Sequence, residues 1–173
     1  MPDKPSLLHE TESRAELMAR QLVERLTAKQ CRLALAESCT AGLVADLTAR
    51  VSGASAVLWG SYVCYTHDAK QRMLRISDRF LGQYGLVSRE TAREMAINAL
   101  GLSHVSIAGA VTGLAGPLGD GSHTSVGTIW VAVAQQDMVM EKEFHFEGTR
   151  AEIRMQAAAA VLEELLNAAA RIT

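Results

Sequence analysis

The sequence predicts a three-layer α/β/α sandwich built on a mixed, mainly parallel sheet with one antiparallel hairpin. Short apolar runs alternate with amphipathic helical patterns along most of the 173 residues, the order that places helices on both faces of a parallel sheet. Two runs rich in Val, Ile and aromatic residues, 127–134 and 139–146, are separated by the polar Gln135-Gln-Asp137, which reads as a hairpin. A composition of 49% hydrophobic and 21% charged residues suits one compact domain over 1–173 with an ordinary core.

Residues 1–10 read as frayed, and Ser13-x-x-Glu16 forms a capping box ahead of Leu17, Met18, Leu22, Val23 and Leu26 at helical spacing. That helix should end near Lys29. Arg32 to Ala36 is too short and apolar for another helix, so it becomes the first core strand. It runs into Glu37-Ser-Cys-Thr-Ala-Gly42, a turn dense in hydroxyl and thiol groups, after which Leu43, Val44, Leu47 and Val51 repeat at helical spacing up to Gly53. Ser61–Tyr65 reads as a strand, Thr66 to about Arg75 as a short basic helix, and Phe80–Gly85 as irregular. Ser88 caps a helix through Leu100 closed by Gly101, His104–Val111 is a strand, and the stretch from Thr112 holds five glycines within sixteen residues. After the hairpin, Thr149-x-x-Glu152 caps a long Ala- and Leu-rich helix to about Arg171.

In open α/β sheets, ligands bind outside the carboxyl ends of strands. Three stretches fall there: Glu37–Gly42, Thr66–Lys70 and Thr112–Gly121. A strand feeding a helix leaves backbone N–H groups free for an anion or an oxyanion, so Ser38, Cys39 and Thr40 lie beside candidate donors. Ser38 is also a residue type that simply caps helices. Serine needs a base, and with no convincing Ser-His-Asp set in the sequence the nearest candidate is Lys70. An ordinary lysine is only about 0.04% neutral at pH 7, so the role demands a strongly lowered pKa. Tyr65 could orient that amine or relay its proton. Cys39 is an alternative nucleophile. The glycine-rich loop matches neither a phosphate-binding Walker pattern nor G-x-G-x-x-G. Arg150, at a helix start, opposes the helix dipole and is a candidate for an anionic ligand.

A net charge of -2 and a pI near 6.2 argue against nucleic acid and anionic membranes as partners and favour a small molecule. Cys31, Cys39 and Cys64 are an odd number without C-x-x-C spacing, and the five histidines are scattered, so neither a disulfide framework nor a metal is expected. The amino terminus lacks a secretion-signal pattern and no apolar run approaches about 20 residues, which predicts a cytoplasmic protein. The Ala-rich final helix leaves open packing against a second copy, as a homo-oligomer.

The strings Ala36-Glu-Ser-Cys-Thr-Ala-Gly42, Gly60-Ser-Tyr-Val-Cys-Tyr-Thr-His-Asp-Ala-Lys70, Tyr84-Gly-Leu-Val-Ser88, Val111-Thr-Gly-Leu-Ala-Gly-Pro117, Val126-Gly-Thr128 and Gly148-Thr-Arg150 resemble, in order, the carboxy-terminal domain of the CinA family, the nicotinamide-nucleotide amidohydrolases. The resemblance implies deamidation of nicotinamide mononucleotide to nicotinate mononucleotide and ammonia, without a cofactor, by a serine nucleophile with tyrosine and lysine helpers. By motif these fall on Ser38, Tyr65 and Lys70. It also implies substrate contacts at Cys39, Thr40, Gly42, Thr112, Gly113, Ala115, Gly116 and Arg150, the glycine loop and Arg150 taking the ribose phosphate. Three positions depart from the family pattern: Ala41 for a glycine, His67 for an asparagine, and Gly119-Asp120 for a glycine pair. They leave two further expectations, an amidase for a related amide or a non-catalytic nucleotide-binding paralogue. The family's amino-terminal domain, associated with pyrophosphatase activity in longer members, has no counterpart in the sequence, and that activity is not expected.

Overall fold

The computed structural model describes residues 6–119, 121–136 and 138–172. The expectations that touch residues 1–5, Asp120 and Asp137 lie outside the described residues. The elements are α1 (Leu7–Ala28), β1 (Leu33–Glu37), α2 (Leu43–Ala49), β2 (Leu58–Val63), α3 (His67–Leu74), α4 (Asp78–Tyr84), α5 (Arg89–Ser103), β3 (Ile107–Gly113), β4 (Thr128–Gln135), β5 (Met138–His145) and α6 (Arg150–Ala169), with a single 3-10 turn at Ala54–Ala56.

The five strands form one sheet in the order β2-β1-β3-β4-β5. β1 is parallel to both neighbours, while β3, β4 and β5 run antiparallel in succession. Strand pleating sends alternate side chains to opposite faces, and the sequence exploits it. Leu33, Leu35, Ile107, Val111, Ile129, Val131 and Val133 meet one core with α1, α2 and α6. Ala34, Ala36, Ala108, Ala110, Ala132 and Ala134 meet the other, against Ala92, Met95, Ala96 and Ala99 of α5. The row of alanines lets α5 approach the sheet closely, and the larger aliphatics fill the wider layer opposite.

Several boundaries differ from the sequence reading. α1 starts at Leu7 with Ser6 as its cap, so Ser13 lies inside the helix. Phe80–Tyr84 is helical in α4, closed by Gly85, and Ser77 accepts from the Phe80 N–H. α5 passes through Gly101 and ends at His104 in a left-handed conformation. The Thr149–Glu152 capping box is formed as expected. Ala157, Ala158, Ala159, Ala160, Ala168 and Ala169 of α6 are buried within the chain, in the core layer that includes α1. Among the described residues, no helix is long and apolar enough to cross a membrane.

Register fixes where the loops emerge. Glu37 at the end of β1 stands opposite Val63 of β2 and Val111 of β3, so the segments that follow these three strands leave the same edge. The antiparallel hairpin returns β5 to that edge, with His145 opposite Thr128, and α6 starts five residues later, at Arg150. The connections from β1 to β2 and from β2 to β3 lie on opposite faces of the sheet, the arrangement that opens a crevice at strand ends.

Candidate functional site

At that edge Lys70 Nζ donates to Ser38 Oγ at 2.8 Å and to the Cys64 carbonyl at 3.0 Å. Lys70 is among the largest fully buried side chains, at 1% exposure, and Ser38 is 7% exposed. α3 accounts for the geometry: Thr66 caps it by accepting from the Ala69 N–H, and one turn in, Lys70 points back under the end of β2. Burial disfavours the ammonium and pushes the Lys70 pKa below its ordinary value, opposed only by the Cys64 and Cys39 thiols. The amine therefore faces the serine oxygen with its proton weakly held.

The turn that carries Ser38 is held from two sides. Glu37, 1% exposed, accepts at Oε2 from Thr40 Oγ1 (2.8 Å), the Gly42 N–H (2.9 Å) and the Val44 N–H (3.1 Å). Its Oε1 accepts from the Ala45 N–H and from Ser61 Oγ, each at 3.0 Å. Opposite it, Arg154 of α6 donates from Nε to the Cys39 carbonyl at 3.1 Å and from Nη2 to the Thr40 carbonyl at 2.6 Å. Gly42 takes φ 94° and Ala41 φ 51°, the left-handed bend that reverses the chain.

This corrects the expected role of Ser38 as a cap. α2 begins only at Leu43, its N-cap is Gly42, and no side chain of that residue caps it. The Glu37 carboxylate takes the helix-start N–H groups instead, which is electrostatically favourable at the positive end of the helix. The Gly42, Val44 and Ala45 amides are thereby unavailable to an oxyanion.

Tyr65 is 49% exposed. Its hydroxyl accepts from Arg150 Nη2 at 2.6 Å, and Arg150 Nη1 donates to the Gly116 carbonyl at 2.5 Å. Among the described residues the phenol has no hydrogen bond to Lys70 or Ser38; the second Lys70 partner is the Cys64 carbonyl. Arg150, expected as an anion ligand against the helix dipole, thus bridges the segment after β2 and the loop after β3. Cys39 is buried, which drives its thiol up to about 12 against the opposing pull of Lys70. It is held as a neutral thiol, unlike an activated nucleophile.

The glycine loop looks different in space from its sequence. Thr112 is buried and donates to the Leu86 carbonyl at 2.7 Å. A Cβ on Gly113 would lie 2.3 Å from Ile129 Cδ1 and 2.7 Å from the Thr128 carbonyl, so this glycine answers to β4. Ala115 is part of the core, and a Cβ on Gly116 would lie 2.5 Å from Val126 Cγ1. Among the described residues of this loop, the Gly116 carbonyl faces the site through Arg150. Two grooves lie elsewhere: one of about 850 Å³ between α1 and α2, lined by residues such as Val23, Leu47 and Arg50, and one of about 590 Å³ at the opposite end of the sheet near Gln135. Neither includes Ser38 or Lys70. No group of three metal-ligating side chains occurs among the described residues.

Sequence reasoning missed Glu37 and Arg154. Both left a signal: Glu37 is a carboxylate at the end of a wholly apolar strand, and Arg154 is a second cation one turn after Arg150 on the same helix face.

Fold and site together define a doubly wound α/β domain with a buried serine–lysine hydrogen bond at its strand ends. The chain belongs to the CinA family, matching the model of the CinA C-terminal domain over residues 15–169. It is 35% identical over 157 residues to a protein of Enterobacter agglomerans named nicotinamide-nucleotide amidohydrolase PncC, covering 90% of this chain and 96% of that one. A CinA-like protein of Syntrophomonas wolfei is 40% identical over 134 residues, 78% of this chain and 32% of that protein. The chain spans about a third of the length of the first curated relatives it matches. Among solved structures, the competence/damage inducible protein CihA of Agrobacterium tumefaciens superposes with a TM-score of 0.85 at 36% identity, covering 96% of this chain and 99% of that one. A CinA superfamily protein of Escherichia coli gives 0.86 at 31% identity, covering 89% and 90%.

Proposed function

We propose that this chain is an amidohydrolase that deamidates nicotinamide mononucleotide to nicotinate mononucleotide and ammonia. The observation that carries the reading is the 2.8 Å contact between the buried Lys70 amine and Ser38 Oγ. The substrate is supported by the similarity to the Enterobacter agglomerans protein named for that activity. The neutral fraction of Lys70 accepts the Ser38 proton as Oγ bonds to the carboxamide carbon, and the carbonyl electron pair moves onto oxygen. Backbone N–H in the turn after Ser38 stabilises that oxyanion. When the C–N bond breaks, the Lys70 ammonium returns its proton to the departing nitrogen and ammonia leaves. Water then attacks the ester carbon and gives a proton to Lys70, the C–Oγ bond breaks, Lys70 returns that proton to Ser38 Oγ, and the released acid ionises to the carboxylate.

Tyr65 and Arg150 act on the substrate side of this pair. A guanidinium has five N–H donors, and the Tyr65 and Gly116 contacts leave several for the 5′-phosphate. Because the Tyr65 oxygen accepts from Arg150, its own O–H is free to donate to the substrate amide. The test is ammonia release from the mononucleotide by the wild type and by Ser38→Ala. The variant should lose at least about 1,000-fold in kcat while still binding the mononucleotide; full activity in it overturns the assignment, and binding without turnover by the wild type leaves a nucleotide-binding module.

A further inference from the structure

Ser38 to Ala41 form a β-turn closed by the Ala41 N–H to the Ser38 carbonyl at 3.0 Å. Such a bond leaves the central peptide, here Cys39–Thr40, unsatisfied by the turn itself. Rotating that one peptide interconverts the type I and type II arrangements and reverses the direction of both its groups. The type II arrangement would need a positive φ at Thr40, a β-branched residue that does not adopt one, so the turn's own sterics favour type I. Arg154 reinforces that arrangement, its planar guanidinium holding the Cys39 and Thr40 carbonyls together.

The amides from 38 to 45 can be assigned one by one. Ser38 N–H donates to the Val111 carbonyl, Ala41 to Ser38, and Leu43 to Thr40. Gly42, Val44 and Ala45 donate to Glu37. The Cys39 and Thr40 N–H groups have no protein acceptor among the described residues, and of the two only the Thr40 N–H belongs to the peptide whose carbonyl Arg154 Nε holds. In a planar trans peptide the N–H points opposite to the C=O. With the Cys39 carbonyl fixed on Arg154, the Thr40 N–H is turned away from α6, and the charge-assisted bond to that carbonyl makes the N–H a stronger donor.

We propose that Arg154 is a positioning residue, locking the Cys39–Thr40 peptide so that the Thr40 N–H serves as the oxyanion donor for Ser38. The inference rests on Ser38 being the nucleophile but not on the identity of the amide. It is tested with a fluorophosphonate. Ser38 Oγ bonds to phosphorus, the P–F bond breaks, fluoride leaves and the Ser38 proton passes to Lys70, while the phosphoryl oxygen occupies the oxyanion position. The rate of Ser38 labelling is followed against pH in the wild type, Arg154→Gln and Arg154→Lys, each checked by thermal melting. Arg154→Gln should label about 100-fold more slowly, Arg154→Lys should recover part of the loss, and the pH midpoint, which belongs to Lys70, should not move. A wild-type labelling rate in Arg154→Gln, or a slow rate explained by a moved midpoint, overturns the proposal; if the Gln variant does not fold, Arg154→Lys is judged by the same criteria. Labelling at Ser38 without ammonia release overturns the substrate reading alone, and failure of the wild type to label at Ser38 overturns both.

Discussion

The turn after β1 and the loop after β3 leave the same edge of the sheet and flank the same crevice. In the turn, the groups that matter are polar and buried: Glu37, Ser38, Thr40 and Lys70. Nearly every donor and acceptor there has an assigned partner, and the assignments are made by charges, with Glu37 on the N–H side and Arg154 on the C=O side. In the loop, the glycines at 113, 116 and 127 are there because another atom is too close, while a Cβ on Gly119 or Gly121 would meet nothing within 4 Å. The first region is shaped by electrostatics at a cost in folding stability, since buried polar groups must all be paired. The second is shaped by backbone packing. Density of hydroxyls here marks a turn held by buried charges, and density of glycines reports how tightly the loop folds onto β4 and β5.

Removing the amine should sharpen this contrast most. Lys70→Met is expected to lose activity to the same extent as Ser38→Ala and to melt at a higher temperature near neutral pH. The sign follows from linkage. Unfolded Lys70 titrates near 10.5, and burial lowers the folded value, so between those two values the unfolded chain binds more protons and stability rises with pH. Below the folded value the full penalty of burying the ammonium remains. Met removes that penalty and should flatten the rise, while in the wild type kcat should increase with pH through the lowered Lys70 pKa. Calorimetric melts over a pH series, beside ammonia release, check both. A Lys70→Met protein less stable than the wild type at neutral pH would show that the Ser38 and Cys64 contacts outweigh desolvation.

The layered fold was legible because its signals are periodic. Val-rich and Leu-rich runs with period two, capping residues such as Thr149, and the hairpin flanking Gln135 all act over a few residues. Ser38, Tyr65 and Lys70 could be nominated because strand-to-helix junctions gather at one edge whatever the details of packing. What could not be read was partner choice. Whether Ser38 caps α2 depends on Glu37 competing for the same amides, and whether Tyr65 touches Lys70 depends on Arg150, 85 residues away in sequence. Gly113 gave the same sequence signal as a ligand-cradling glycine, because a requirement for no Cβ does not say which atom imposes it.

The packing side of the contrast is broken by giving the loop side chains. Gly127→Ala should be the most damaging: its φ is 92°, and a Cβ would lie 2.0 Å from the carbonyl oxygen of Phe146, a residue whose own N–H donates to the Gly127 carbonyl. A cost of about 3 kcal/mol is expected from overpacking. Gly113→Ala should cost somewhat less, because its nearest clash is with the Ile129 methyl, and Gly119→Ala should leave the melting temperature unchanged. In each variant, Ser38 labelling per folded molecule should stay at the wild-type rate. If Gly113→Ala instead left stability intact and weakened mononucleotide binding, the loop would be a ligand cradle after all.

A small effect is also expected at the residue that chemistry alone would favour as a nucleophile. Cys39 is next to Ser38, but burial raises its thiol to about 12, so only about one molecule in 100,000 carries a thiolate at pH 7. The nearby Lys70 does not reverse this, because its own burial weakens its hold on a proton. Cys39→Ala should therefore keep kcat close to the wild-type value and lose only the packing of its sulfur in the core, about 1 kcal/mol by the usual cost of a small cavity. Alkylation of Cys39 in the folded protein should correspondingly be slow, and should become fast on unfolding. The two neighbouring variants are informative as a pair: with Ser38→Ala inactive and Cys39→Ala active, reactivity at this turn follows from which side chain Lys70 reaches, and an inverted result would move the nucleophile by one residue.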